Sequence, residues 1–155
     1  SMFSSPSEFV RMQAKKKCEE IETRVKDADL ILTADTIVFV DNQILGKPGT
    51  HEKAYEMIKQ LNNRSHSVET GVYIIMPKKG KSVSFSVNTA VYFDNLPESV
   101  IRAYADSDDP LDKAGAYGIQ SGAMSLIKKI DGDYANVVGL PLNEVCDQIA
   151  KLLQE

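Results

Sequence analysis

One carboxylate and a few lysines stand out in this chain as residues placed to do chemistry. Asp35 interrupts Leu30-Ile31-Leu32-Thr33-Ala34-Asp35-Thr36-Ile37-Val38-Phe39-Val40, an apolar stretch rich in β-branched and aromatic residues that reads as a buried strand. A charge inside such a strand is costly unless something pairs with it or uses it. Two readings follow: a strand-end Asp that caps a turn, or an acid carried to the floor of a cleft. Lys47 in Gly46-Lys47-Pro48 and Lys113 in Asp112-Lys113-Ala114-Gly115-Ala116-Tyr117-Gly118-Ile119-Gln120 are candidate partners. A carboxylate near lysines suits a metal-bound polyphosphate. The acid holds the metal or activates water, and the lysines offset charge that develops at phosphorus. Gln120, read as the end of a Gly-rich strand, carries an amide that both donates and accepts, which suits the edge of a base. On spacing alone, a binding or structural domain is the competing reading.

These residues need elements to position them. Ser5-Pro6-Ser7-Glu8 matches a helix start, with Ser at the cap, Pro in the first turn and Glu at the third position. The helix is expected to run to about Lys26, with Phe9, Val10, Ala14, Cys18, Ile21 and Val25 inward. Lys15-Lys16-Lys17 is its solvated face, from which one lysine can point along a cleft edge. After the Asp35 strand, Asp41-Asn42-Gln43 turns into a short return strand at Ile44-Leu45. A second helix runs from about Thr50 to Leu61. Ser67–Met76 and the alternating Val83–Phe93 form a hairpin across a basic turn. A third helix covers Pro97–Ala105, with Val100, Ile101 and Tyr104 inward. Asp112–Gln120 is expected as loop then strand, Met124–Ile130 as a short strand or helix, and Leu142–Leu153 as the last helix, with Leu142 inward. This mixture predicts one α/β or α+β domain with a mixed sheet.

At 155 residues with a net charge of −4, the chain is about one domain and carries no general basic surface, which disfavours a nucleic-acid coat. A local lysine cluster can still take a small anion. Cys18 and Cys146 stand far apart in no metal-like spacing, so both are expected as buried free thiols of a reducing compartment. No apolar run approaches the length of a membrane span, and no signal peptide is visible.

Read in order, Ala34-Asp35-Thr36, Leu45-Gly46-Lys47-Pro48, Ala54-Tyr55-Glu56-Met57 with Leu61, His66-Ser67-Val68 with Thr70-Gly71-Val72, Thr89-Ala90-Val91-Tyr92-Phe93, the Asp112–Gln120 run and Asn136-Val137-Val138-Gly139-Leu140-Pro141 resemble the Maf family of nucleoside triphosphate pyrophosphatases. The likeness runs from about Ser5 to Leu153, and Lys-Ala-Gly-x-Tyr-Gly-Ile-Gln is its most specific part. Ala14-Lys15-Lys16-Lys17-Cys18 resembles the family's Ala-x-x-Lys-Ala segment, which singles out Lys17. The resemblance implies hydrolysis of a nucleoside triphosphate to the monophosphate and pyrophosphate, with Mg²⁺ or Mn²⁺, by a cytoplasmic, homodimeric house-cleaning enzyme; no nucleic-acid or membrane partner is expected, on the charge and hydropathy given above. It makes Asp35 the general base or metal-proximal carboxylate. It makes Lys17, Lys47 and Lys113 phosphate ligands, and Thr36 and Gln120 positions of substrate choice. Asp-Thr together with Tyr-Gly-Ile-Gln looks like the branch acting on dTTP, UTP and modified pyrimidine nucleotides.

The family also opens with a strand and a Ser-x-Ser-Pro-Arg-Arg loop. Ser4-Ser5-Pro6-Ser7 lacks the two arginines and precedes a different helix. The fold implied is therefore α/β, a Maf/ITPase-like mixed sheet flanked by helices, with its N-terminal strand and loop missing, in a single truncated domain over residues 1–155. A clamp of preorganised charge contributes strongly to transition-state stabilisation. The alternative reading is thus a catalytically impaired Maf-like domain that binds nucleotide or a partner without turnover. Among the remaining residues, His66 is expected to make a structural hydrogen bond, His51 to lie at the surface, Tyr117 to be pocket wall or core, and Asn136 to brace a loop.

Overall fold

The structure is a computed structural model that describes residues 5–120 and 122–154. Helix α1, Pro6–Arg24, starts as its sequence predicts: the Ser5 hydroxyl accepts from the Glu8 amide, and Pro6 occupies the first turn. Strand β1, Ile31–Val40, turns at Asp41 and Asn42, both in the left-handed region, into β2, Gln43–Leu45. Left-handed Asp and Asn suit a two-residue hairpin whose twist matches its strands. Helix α2, His51–Leu61, is capped by the Thr50 hydroxyl, which accepts from the Lys53 amide. Strands β3, Ser65–Met76, and β4, Lys81–Phe93, are joined by a tight helical turn at Pro77–Lys79 and left-handed Gly80. Helix α3, Glu98–Ala105, is followed by strand β5, Ile127–Asp131, and helices α4, Tyr134–Val138, and α5, Leu142–Gln154. The strand order in the sheet is β2-β1-β3-β4-β5, with β1/β2 and β4/β5 antiparallel.

The chain divides into two compact units. The first holds the described parts of Ser1–Thr36, Glu69–Asn88 and Ala135–Glu155. Its sheet segment carries a helix on each face, and the two-residue period of the strands decides which side chains meet which helix. The Thr33 hydroxyl donates to the Ala14 carbonyl of α1 over 2.6 Å. At Gly71 a Cβ would lie 2.3 Å from the carbonyl carbon of Val10, so the α1 backbone rests directly on β3. On the alternate positions, Leu32, Ala34, Val72, Ile74 and Met76 pack with Val145, Ile149 and Leu152 of α5.

The second unit holds Ile37–Val68 and Thr89–Tyr134. Here α2 packs on α3 and on the tight turn Ala114–Ala116. Ala54, Ile58, Leu61 and Ile101 are buried at or near full burial.

Several expectations need correction. Asp112–Gln120 contains no strand: it is a series of turns, because Gly115 and Ala116 take φ of 70° and 68°, which no extended chain can hold. Gln120 therefore sits exposed in a turn rather than at a strand end. The ambiguous 124–130 segment splits into a tight helical turn, Gly122–Leu126, and β5. Val25 is the C-cap residue of α1, outside the helical face, and is exposed. Val100 and Leu142 are exposed as well. Cys18 is buried but Cys146 is exposed, since it lies on α5 beside the inward Val145 rather than on its face. Helix α4 is too short for its period to show in the sequence.

Candidate functional site

Asp35 lies in the interior of β1, so the strand-end reading is excluded. Two-residue alternation puts Asp35 on the side of Thr33, the face covered by α1. Lys17 stands one turn beyond Ala14 on that helix. Its Nζ donates to the Ala34 carbonyl over 2.9 Å and to Asp35 Oδ1 over 3.0 Å. The carboxylate is 23% exposed and the lysine 54%. This half-solvated pair contributes little to stability. It does fix the carboxylate through one oxygen, Oδ1, and Lys17 does not engage the other. The partner of Asp35 in this unit is thus Lys17, which spacing along the strand did not suggest. An open groove beside it is lined by Gln13, Lys16, Lys17, Glu20, Thr33 and Ala34.

Thr36 points to the opposite face. Its hydroxyl lies 2.9 Å from the Thr70 hydroxyl and 3.4 Å from the Gly139 carbonyl. Fully buried Thr70 in turn reaches the Asn136 carbonyl at 3.3 Å. The single Thr36 proton goes to Thr70 or to Gly139, so this position offers a further ligand only lone pairs. Asn136, fully buried, braces the turn through its backbone as expected.

In the second unit, two backbone bonds tie the Lys47 loop to the Lys113 segment. Gly49 N–H donates to the Leu111 carbonyl over 3.2 Å, and Gly115 N–H donates to the Gly46 carbonyl over 3.1 Å. Gly115 is required there: its φ is 70°, and a Cβ would come within 2.7 Å of Val38 Cγ2. Lys47 is exposed. Lys113 Nζ is taken up by Asp109, at 2.7 Å to its carbonyl and 3.2 Å to its carboxylate, and by Asp112 at 3.4 Å. Burial opposes the ammonium charge, but these carboxylates outweigh it and raise the Lys113 pKa. The four-residue spacing of Asp109 from Lys113 was a usable signal for this pair.

His66 and Tyr117 are buried in the same unit, with Nε2 and the phenol oxygen 2.6 Å apart. Phe93 completes a set of edge-to-face rings, with centroids 5.0 to 5.4 Å apart. Burial, helped by Arg64, lowers the His66 pKa from 6.5 to about 4, so the ring is neutral at neutral pH. The hydrogen bond expected of His66 is therefore present. His51 is exposed, with Nδ1 3.0 Å from the Ala105 carbonyl.

A family model described as Maf-like protein matches residues 2–152. The chain belongs to the Maf-like protein family. Among curated relatives, a dTTP/UTP pyrophosphatase of Clostridium botulinum is 45% identical over 142 residues, 92% of this chain and 76% of that protein. A dTTP/UTP pyrophosphatase of Thermococcus onnurineus is 44% identical over 142 residues, 92% and 75% of the two chains. One of Thermosipho melanesiensis is 42% identical over 144 residues, 93% and 76%. The region matched in this Maf-like chain includes Lys17, Asp35, Thr36, Lys47, Lys113 and Gln120.

The chemistry open to this Maf-like protein follows from its donors. Among the described residues no group of three His, Cys, Asp or Glu side chains could hold a metal. Asp35 alone offers one free carboxylate oxygen. That set fits an ion of the Mg²⁺ type, which keeps several waters and takes one or two carboxylates plus substrate phosphates. It does not fit a resident structural metal. No helix among the described residues is long and apolar enough to cross a membrane.

Proposed function

We propose that this chain hydrolyses pyrimidine nucleoside triphosphates, dTTP and UTP, to the monophosphate and pyrophosphate. The observation that carries the reading is the Asp35 carboxylate, held within a strand by Lys17, in a chain whose relatives are named dTTP/UTP pyrophosphatase. Asp35 is the general base. Its free oxygen takes a proton from a water molecule, the water oxygen bonds to the α-phosphorus, and the bond from that phosphorus to the bridging oxygen breaks to release pyrophosphate. Lys17 orients the base and stands ready to meet phosphate oxygens. A bound Mg²⁺ or Mn²⁺ would neutralise triphosphate charge and polarise the phosphorus, held by phosphate oxygens and its own waters close to Asp35, whose free oxygen is left for the proton. Lys47 and Lys113 as phosphate ligands, and Thr36 and Gln120 as residues of substrate choice, rest on the resemblance. So do a homodimer and a cytoplasmic location.

The test is pyrophosphate release with Mg²⁺ or Mn²⁺ across dTTP, UTP, CTP and the purine triphosphates. Activity should favour dTTP and UTP. Asp35→Asn should cost about a hundredfold to ten-thousandfold in kcat, the usual contribution of a positioned base. Undiminished turnover by that variant would overturn the role of Asp35. A folded chain that binds nucleotide without turnover would instead establish the impaired-domain reading.

A further inference from the structure

We propose that His66 is a positioning residue for the nucleotide: through Tyr117 it holds the turn that carries Lys113 and Gln120. The proposal rests on the function proposed above and adds a residue to it. Three observations carry it. The first is the turn itself. Gly115 and Ala116 are consecutive residues with positive φ, and for an alanine that conformation is unfavourable by about 1 kcal/mol or more. Such a backbone persists only where its surroundings over-determine it.

The second is the anchoring. The turn is tied down at its start by the Gly115–Gly46 backbone bond, which couples it to the Lys47 loop. At its end Tyr117 is 6% exposed and His66 4% exposed, and their polar atoms meet at 2.6 Å. The edge-to-face contacts of both rings with Phe93 of β4 fix their planes. A strained turn is therefore fastened at both ends.

The third is the choice of side chain. His66 Nδ1 is buried with no hydrogen-bond partner among the described residues. An unpaired buried polar atom is unfavourable, so a core selected for stability alone would place an apolar residue here. An imidazole is explained by what Nε2 does, which is to hold the Tyr117 phenol. Burial keeps the ring neutral, able to serve as acceptor without placing a cation in the core.

In this proposal the turn has a part in holding the bound nucleotide before reaction, so loosening it should act on KM far more than on kcat. The experiment compares the wild type with His66→Leu, His66→Gln, Tyr117→Phe and the His66→Leu/Tyr117→Phe double variant. Read-outs are KM and kcat for dTTP, and amide hydrogen exchange at Gly115 and Ala116. His66→Leu and Tyr117→Phe should each raise KM about tenfold, the effect of one lost buried hydrogen bond. They should move kcat by less than about twofold and speed exchange at both amides. The double variant should be no worse than either single one, because both break one bond. His66→Gln, which can place an acceptor near the Nε2 position, should recover most of the loss. An unchanged KM in folded variants, or a fall in kcat with KM constant, overturns the proposal. If the wild type does not hydrolyse dTTP, the function fails instead. The exchange measurement then still decides whether the bond holds the turn, and unchanged exchange in Tyr117→Phe overturns that.

Discussion

Lys17 serves Asp35 twice, binding the carboxylate and the carbonyl that precedes it. Lys17→Gln removes the charge but can keep one hydrogen bond. It should lower kcat/KM for dTTP about tenfold to a hundredfold while leaving the melting temperature nearly unchanged, since the ion pair is half-solvated. Steady-state kinetics beside a thermal melt check this. His66 gives the opposite pattern. Its pKa is about 4 in the folded chain against an ordinary 6.5, so the unfolded chain binds the proton first as pH falls. The stability this provides is complete above about pH 6.5 and is lost progressively down to about pH 4, a change of about 3 kcal/mol. Denaturant titrations at pH 7 and pH 5 should show the loss, and His66→Gln should flatten it.

Among the elements, α1 and the 111–117 turn are the most sharply constrained. Gly71→Ala would force a Cβ into the Val10 backbone, which has no flexible end to give way. It should be destabilising by about 3 kcal/mol or more, among the larger effects single substitutions have. Denaturation midpoints measure it, and a near-neutral Gly71→Ala would mean that α1 lifts freely from β3. The helices and the long strands were legible in the sequence because their signals are local: Ser5 and Thr50 cap, Gly80 turns, and Val83 to Phe93 alternate. The Asp112–Gln120 run was misread as part strand because its conformation depends on Gly46, Val38 and His66, far away in the chain. For the same reason the Asp35–Lys17 pair did not emerge from spacing. It needs α1 to lie on β1, and a family pattern marked Lys17 where periodicity left it in a trio of equals.

For the molecule as a whole, order and kind of motif were readable from end to end, and the matched family bears that reading out. The division into two compact units was not, because it is set by contacts between distant segments. Ligand binding tests the whole chain at once. A dTTP analogue that resists hydrolysis, present with Mg²⁺ at about a hundred times its dissociation constant, should add about 2.7 kcal/mol of stability. For a chain of this size that is a rise in melting temperature of about 5 to 10 °C. Chelation by EDTA should abolish both the rise and the release of pyrophosphate. A full thermal shift in the presence of EDTA would remove the metal from nucleotide binding, and undiminished pyrophosphate release there would remove it from the reaction.

The two thiols differ in a way that gives the protein a built-in counter of its own folding. Cys18 lies on the buried face of α1, and burial raises its pKa, whereas Cys146 is exposed on α5. A maleimide dye should therefore attach to one site per folded chain and to two once the chain opens. After a pulse of dye short against reopening, the ratio of dye to protein would report the fraction of open chains, and Cys146 offers a native handle for a fluorophore without any engineered cysteine.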